Sequence, residues 1–195
     1  MKRSLIIGGI AVAAVLTMAV PAPAFAGPVE IIPWEDSGSE VLEVGEEDWC
    51  PPEIVDFEVA HAWEASGIDR IKTGHDGLVR FAATFEGMDT YSANGKTFVI
   101  EFHGNARDHK VVDNGDGTLT IFFKDSVHSI ASLDGEFLFQ DSGLVEGAFL
   151  IDHNGTPSDP EDDTFLGPVG DGELHGRFDT GERDFCEDIA LFLGP

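Results

Sequence analysis

The feature that most constrains the fold is a two-residue periodicity between glycine-containing turns, which is clearest in residues 96–124. Phe98, Ile100 and Phe102 fall on one side of an extended segment, with polar or smaller residues between them. This alternation is typical of a half-buried strand. The turn 113–117 leads to a second alternating segment, and its Asn-Gly and Asp-Gly steps tolerate the positive φ angles of tight connections. The stretch therefore predicts a β-hairpin.

Turn signals recur about every ten residues along the rest of the chain, for example at Ser66-Gly67 and Ser142-Gly143. This spacing predicts an all-β protein with about 8–10 short antiparallel strands. Because closing a sheet on itself removes its exposed edges, we expect a closed or nearly closed barrel, with a β-sandwich as the alternative. Ile189 and Phe192 are three residues apart near the end of the chain, which predicts one short C-terminal helix over residues 186–193.

The chain divides into three parts. Lys2 and Arg3 precede an apolar run and a small-residue cleavage site at 24–26, so residues 1–26 are predicted to be a signal peptide, with no membrane span left after its removal. Residues 27–48 contain eight acids and no base, and are expected to form a flexible acidic arm. Residues 49–195 are expected to form a single β-barrel domain, and the protein to be secreted and extracellular.

The charge of the chain is strongly negative. It contains 37 acidic residues against 11 lysines and arginines, for a formal net charge of −26 at pH 7. Such a surface repels nucleic acid and anionic membranes, and attracts cationic partners or calcium. Secreted proteins are also acidic simply to remain soluble. The charge therefore excludes anionic partners but does not identify the partner of this protein.

The chain contains two cysteines, Cys50 and Cys186, which lie near the two ends of the predicted domain. In an oxidising compartment this pair predicts a disulfide. Closing a loop of this length stabilises the folded state by about 5 kcal/mol on a chain-entropy argument. Neither cysteine has a neighbouring cysteine or histidine at the spacing of a metal site.

Calcium is the only cofactor that the residues suggest, because calcium binds carboxylate and carbonyl oxygens in flexible geometry. The alternative for the acidic loop 152–163 is a solvated surface loop without a metal. A zinc site would have to assemble across strands, from His103, His109 and His128. The chain has no recognisable catalytic motif. The five candidate calcium ligands are Asp152, Asn154, Asp159, Asp162 and Asp163.

Residues 94–97, 116–120 and 184–189 resemble a group of small secreted proteins of high-GC Gram-positive bacteria. These proteins carry one cysteine before the opening strand and a second before the terminal helix. The resemblance implies an eight-stranded barrel similar to allene oxide cyclase and dirigent proteins. It implies no catalytic residue for this chain.

Two functions follow as expectations. The first is a secreted, non-enzymatic β-barrel that binds a small apolar ligand or an extracellular protein. The second is a barrel enzyme of the cyclase or isomerase type, which would act by shaping a small apolar substrate in a cavity. Only the analogy of fold supports the second function.

Overall fold

The protein is described by a computed structural model that covers residues 28–47 and 49–195; the predicted signal peptide lies outside the described residues. The described chain forms eight antiparallel strands and one C-terminal helix. The strands are β1 (Glu30–Leu42), β2 (Val59–Thr73), β3 (Val79–Ala93), β4 (Lys96–Asp113), β5 (Thr118–Leu133), β6 (Glu136–Asp152), β7 (Thr164–Pro168) and β8 (Glu173–Phe178), and the helix is α1 (Phe185–Leu193).

The strands form one sheet in which sequential strands are neighbours from β1 to β7. The short strands β7 and β8 pair with different segments of β6, so both lie along the same edge of the sheet. The predicted all-β antiparallel fold and its terminal helix are confirmed. Within the described residues β1 does not pair with β7 or β8, so the sheet is open rather than a closed barrel. No helix of the described chain is both long and apolar enough to cross a membrane.

The predicted turns separate into two classes. Asn94-Gly95 and Asp134-Gly135 are two-residue hairpin turns, and all four residues have positive φ angles. In contrast, Ser66-Gly67 lies inside β2 and Ser142-Gly143 lies inside β6. The strands are therefore fewer and longer than predicted, at 15 to 18 residues for β2 to β6.

The segment expected to be a flexible acidic arm is instead largely a strand. β1 pairs with β2 over all of its 13 residues. Two tryptophans fix this pairing, because the Trp34 indole donates a hydrogen bond to Asp69 (3.0 Å) and the Trp63 indole donates one to Asp36 (3.2 Å). These contacts between strands outweigh the acidic composition that suggested disorder.

Glycines inside the strands lie beneath aromatic rings on one side of the sheet, which we call the aromatic face. At five of them, a Cβ atom would lie only 2.3–2.8 Å from a ring atom of the residue directly opposite on the next strand. Only glycine leaves room for a ring this close to the backbone. The pairs are Gly38 with Trp63, Gly67 with Trp34, Gly87 with Phe102, Gly104 with Phe85, and Gly147 with Phe123.

The main hydrophobic core lies at one end of the aromatic face, where α1 packs on the sheet. Its most deeply buried side chains include Val59 and Phe98 from the strands and Ile189 and Leu193 from the helix. The predicted disulfide joins Cys50 and Cys186, whose Cα atoms are 5.5 Å apart, at the edge of this core. The remaining members of the buried cluster are Cys50, Val55 and Ala131.

Where β4 bulges, a side-chain carboxyl group rather than a backbone carbonyl accepts a hydrogen bond from β3. Asp108 accepts a hydrogen bond from the Phe81 amide (2.7 Å), next to the irregularity at residues 108–110. Burial raises the pKa of Asp108 to about 6; the charge of Asp125 adds to the increase, while the Phe81 hydrogen bond and Arg80 oppose it. This group makes stability depend on pH.

Candidate functional site

The side of the sheet opposite the aromatic face, which we call the polar face, carries a row of polar side chains across five strands. The register places Glu35 opposite Ser66, Ser66 opposite Glu86, Glu86 opposite His103, and His103 opposite His128. Side chains directly opposite on neighbouring strands have Cβ atoms about 5 Å apart. The row is therefore a continuous polar strip, although its members are far apart in sequence.

A second row runs beside the first on the same face. It contains Ser37, Glu64, Met88, Glu101 and Ile130, each opposite the next on adjacent strands. Together the two rows line an open groove with a volume of about 740 Å³. An adjoining groove of about 690 Å³ shares Glu35, Ser66 and Glu86 with it and extends to Pro33 and Ile68. We call the area lined by these two overlapping open depressions the acidic groove.

The acidic groove has one glutamate from each of the first four strands and no lysine or arginine in its lining. All four side chains are exposed, and none has a hydrogen-bond or ion-pair partner within the described residues. Some carboxylates elsewhere on the sheet are paired, as Glu146 is with Lys124 at 2.9 Å. The groove is therefore a local concentration of unpaired negative charge, which attracts cations. The four residues are Glu35, Glu64, Glu86 and Glu101.

Two of the three histidines considered for zinc meet in the groove. The rings of His103 and His128 are 4.8 Å apart, whereas His109 lies at the bulge of β4. No group of three or more His, Cys, Asp or Glu side chains within residues 28–47 and 49–195 has the geometry to hold a metal ion. His103 and His128 form part of the polar lining of the groove.

The candidate calcium ligands are engaged with their own loop. Asp152 accepts a hydrogen bond from the Asn154 amide (2.8 Å), and Asp159 accepts one from the Glu161 amide (3.2 Å). Asp162 accepts from the Thr156 hydroxyl (2.7 Å). These bonds hold the carboxylates in the turns of the loop, and no group of three acidic or histidine side chains in the described part of the chain has the geometry to hold a metal ion, so we do not propose a calcium site here.

The other two calcium candidates, Asn154 and Asp163, also interact with neighbouring residues of this loop. The Asn154 amide group donates to the Asp162 carbonyl. Burial raises the pKa of Asp163, and the negative charges of Asp162, Asp159 and Asp152 raise it further, while His153 lowers it. The loop therefore holds several carboxylates close enough to repel one another, within a network of turn hydrogen bonds.

The polar row contains Ser, His and Glu but lacks the contacts of a hydrolytic site. A nucleophile and its base, and the base and its orienting acid, lie within about 3 Å in such sites. In the described part of the chain, neither Ser66 nor Glu86 is hydrogen-bonded to His103 or His128. His61 does contact two carboxylates, Glu40 (3.3 Å) and Asp89 (3.0 Å), but it lies on the aromatic face stacked on Tyr91, as a satisfied half-buried histidine.

Comparison of the chain with protein-family models, with curated proteins and with solved structures gave no match. The resemblance to allene oxide cyclase and dirigent proteins therefore stays a prediction.

Little in the sequence indicates the groove, because its residues come from five strands and meet only through the strand register. The available signal was a single glutamate at an outward position in several strands, such as Glu64 in β2 and Glu86 in β3. An outward glutamate is also what any solvated strand carries. Only the pairing shows that these side chains line one depression.

Proposed function

We propose that the protein is a secreted, non-enzymatic binding module whose acidic groove takes a cationic ligand with a small apolar part. The observation that carries the proposal is the set of four unpaired glutamates in a groove without a lysine or arginine. Like charges close together cost free energy, and a bound cation relieves that cost.

Apolar side chains in the groove support a ligand that is more than a point charge. Met88 and Ile130 lie between or beside the glutamates in the second row, and Ile68 lies at the far end. They are half-buried and would cover the methylene groups of an amine or of a lysine side chain. The acidic net charge of −26 adds long-range attraction for such ligands.

The enzyme alternative has less support. A cyclase or isomerase of the predicted type would shape an apolar substrate in an enclosed pocket. The two grooves described above are open and lined by charged side chains, and the sheet is not closed within the described residues. Binding of a cation requires no group beyond those already in the groove.

Isothermal titration calorimetry with spermine, a linear polyamine, tests the proposal. The combined variant Glu64→Gln, Glu86→Gln and Glu101→Gln keeps the shape of the groove and removes three charges. If each exposed contact contributes about 0.5–1 kcal/mol, affinity should fall by roughly tenfold or more. Binding of the unmodified protein should also weaken as salt is raised above about 0.1 M.

A matched control separates the groove from the general charge of the protein. Glu53, Glu58 and Glu136 are exposed and lie outside the groove. Their combined change to glutamine alters the net charge by the same amount, and should leave spermine affinity within about twofold. Equal losses in both variants would mean that spermine senses only the net charge, and would overturn the proposed site.

A further inference from the structure

Within the described residues, the outer edge of β1 is the longest unpaired edge of the sheet. β1 is the first strand in the sheet order and has a neighbour only on its β2 side within the described residues. Its 13 residues are about twice the usual strand length. Proteins usually keep edge strands short, or cover them, because unpaired backbone groups recruit other chains.

The position of Pro33 indicates which backbone groups point outward. Pro33 has no N–H and lies opposite Ile68 within an uninterrupted ladder. Proline is accepted within edge strands where its nitrogen faces away from the neighbour. Because the pattern alternates along an antiparallel strand, the same outward orientation extends to the other odd-numbered residues of β1. These are Ile31, Glu35, Ser37, Ser39 and Val41.

The side chains of β1 combine features that protect an edge, namely Pro33 and four acids, with exposed branched residues that favour pairing. Ile31 is 62% exposed and Val41 is 55% exposed, although branched apolar residues promote pairing with a further strand. The strand contains four acids and no lysine or arginine. The acidic groove also reaches this edge, where Pro33, Trp34 and Glu35 line it.

We propose that an extended basic peptide pairs with the outer edge of β1 as an additional strand and places its lysine or arginine side chains over the acidic groove. This inference rests on the proposed function, since it names the ligand of the same groove. An added strand lies about 4.8 Å from β1, which brings alternate side chains beside Glu35. Backbone hydrogen bonds give affinity in this binding mode, and side-chain pockets give specificity.

Charge decides between this occupant and a second copy of the chain. Two β1 strands side by side would bring their own acids close together, within a pair of molecules that each carry a net charge of −26. Opposed like charges on paired strands are destabilising, whereas opposite charges stabilise the pair. A basic segment satisfies both the backbone edge and the carboxylates.

The test compares three probes by calorimetry: a peptide that alternates lysine with valine, the same peptide N-methylated on alternate residues, and spermine. N-methylation removes the backbone donors of one edge and keeps the charge. The unmodified peptide should bind at least about tenfold more tightly than the methylated one, since several hydrogen bonds are lost. Its binding should also slow hydrogen exchange at the outward amides of β1.

Ser39→Pro removes one backbone donor from the outer edge of β1, as N-methylation removes donors from the peptide. Ser39 shares the outward orientation of Pro33 and does not line the groove. The variant should lose about tenfold in affinity for the unmodified peptide and keep its affinity for spermine. The methylated peptide provides the same information if this variant does not fold.

Each outcome separates the two proposals. Equal binding of the two peptides would overturn strand pairing and leave the cation site in place. Failure of all three probes would overturn the proposed function together with this inference. Dimers in sedimentation experiments that disappear in Ser39→Pro, without peptide binding, would assign the edge to a second copy and overturn the basic partner.

Discussion

The two faces of the sheet are built from the same strands but are put together differently. On the aromatic face each inserted glycine accommodates a ring from the neighbouring strand, so that contacts are close and specific. On the polar face the glutamates of the groove are exposed and have no partner within the described residues. One face therefore holds the strands together, and the other leaves its charges available to a ligand.

Substitutions should therefore affect stability on the aromatic face and binding on the polar face. A buried or closely packed group loses its contacts when it is changed, whereas an exposed group without a partner has none to lose. Both faces share every backbone hydrogen bond of the sheet, so their separation is a matter of side chains alone. Four predictions test it, in order of decreasing effect.

Loss of the disulfide should give the largest effect, because it ties the start of the domain to the helix that packs on the aromatic face. The variant Cys50→Ser with Cys186→Ser should lower the free energy of unfolding by about 3–5 kcal/mol, measured by urea denaturation. Spermine affinity of the folded fraction should be unchanged. A loss below about 1 kcal/mol would show that the core holds α1 without the covalent link.

Gly104→Ala tests the packing of the aromatic face. An added Cβ would lie 2.4 Å from the Ser126 carbonyl oxygen and 2.8 Å from the Phe85 ring. Because one of these atoms belongs to the backbone of the next strand, the strands must separate, at a cost of about 1–3 kcal/mol. Gly181→Ala is the control, since nothing lies within 4 Å of its Cβ position, and it should be nearly neutral. Equal unfolding midpoints for the two variants would contradict close packing.

Sequence reasoning succeeded where one residue type has one physical role. Asn-Gly and Asp-Gly steps require positive φ angles, and Asn94-Gly95 forms the expected turn. Two cysteines near the ends of the domain could pair only with each other. The apolar alternation of β4 placed Phe98 in the core correctly.

Prediction from sequence was wrong where a residue type can have either of two roles and the neighbouring strand decides which role it has. The Ser66-Gly67 step predicts a turn, but Gly67 makes room for the Trp34 ring on β1. The contact between Trp34 and β2 cannot be read from the acidic segment alone. The composition of that segment therefore predicts disorder, although Trp34 stabilises β1 through β2. The acidic groove was missed for the same reason, since Glu35 and Glu86 become neighbours only in the paired sheet.

Asp108→Asn tests a charged side chain on the aromatic face. The pKa of this carboxyl rises from 3.8 to about 6 in the folded protein, so the folded state holds a proton more tightly than the unfolded state. Stability should therefore fall as pH rises from about 4 to about 6. Asparagine can still accept the Phe81 hydrogen bond without the buried charge.

The variant should be more stable than the unmodified protein by about 1–2 kcal/mol above pH 6, and equally stable below pH 4, in urea titrations across this range. Asp76→Asn gives the opposite sign. The Arg80 hydrogen bond holds the pKa of Asp76 well below its usual range, so that substitution should lower stability at neutral pH. Parallel pH profiles for the two variants would contradict the assigned environments.

The smallest effect on stability is expected on the polar face. Changing Glu64, Glu86 and Glu101 together to glutamine should alter the free energy of unfolding by no more than about 0.5 kcal/mol for each residue, since exposed side chains without partners contribute little. A slight gain is expected, because repulsion between neighbouring carboxylates is removed. The measurement is urea denaturation at neutral pH, beside Gly104→Ala. A loss as large as that of the glycine variant would mean that the glutamates support the sheet, and the two faces would then no longer differ in kind.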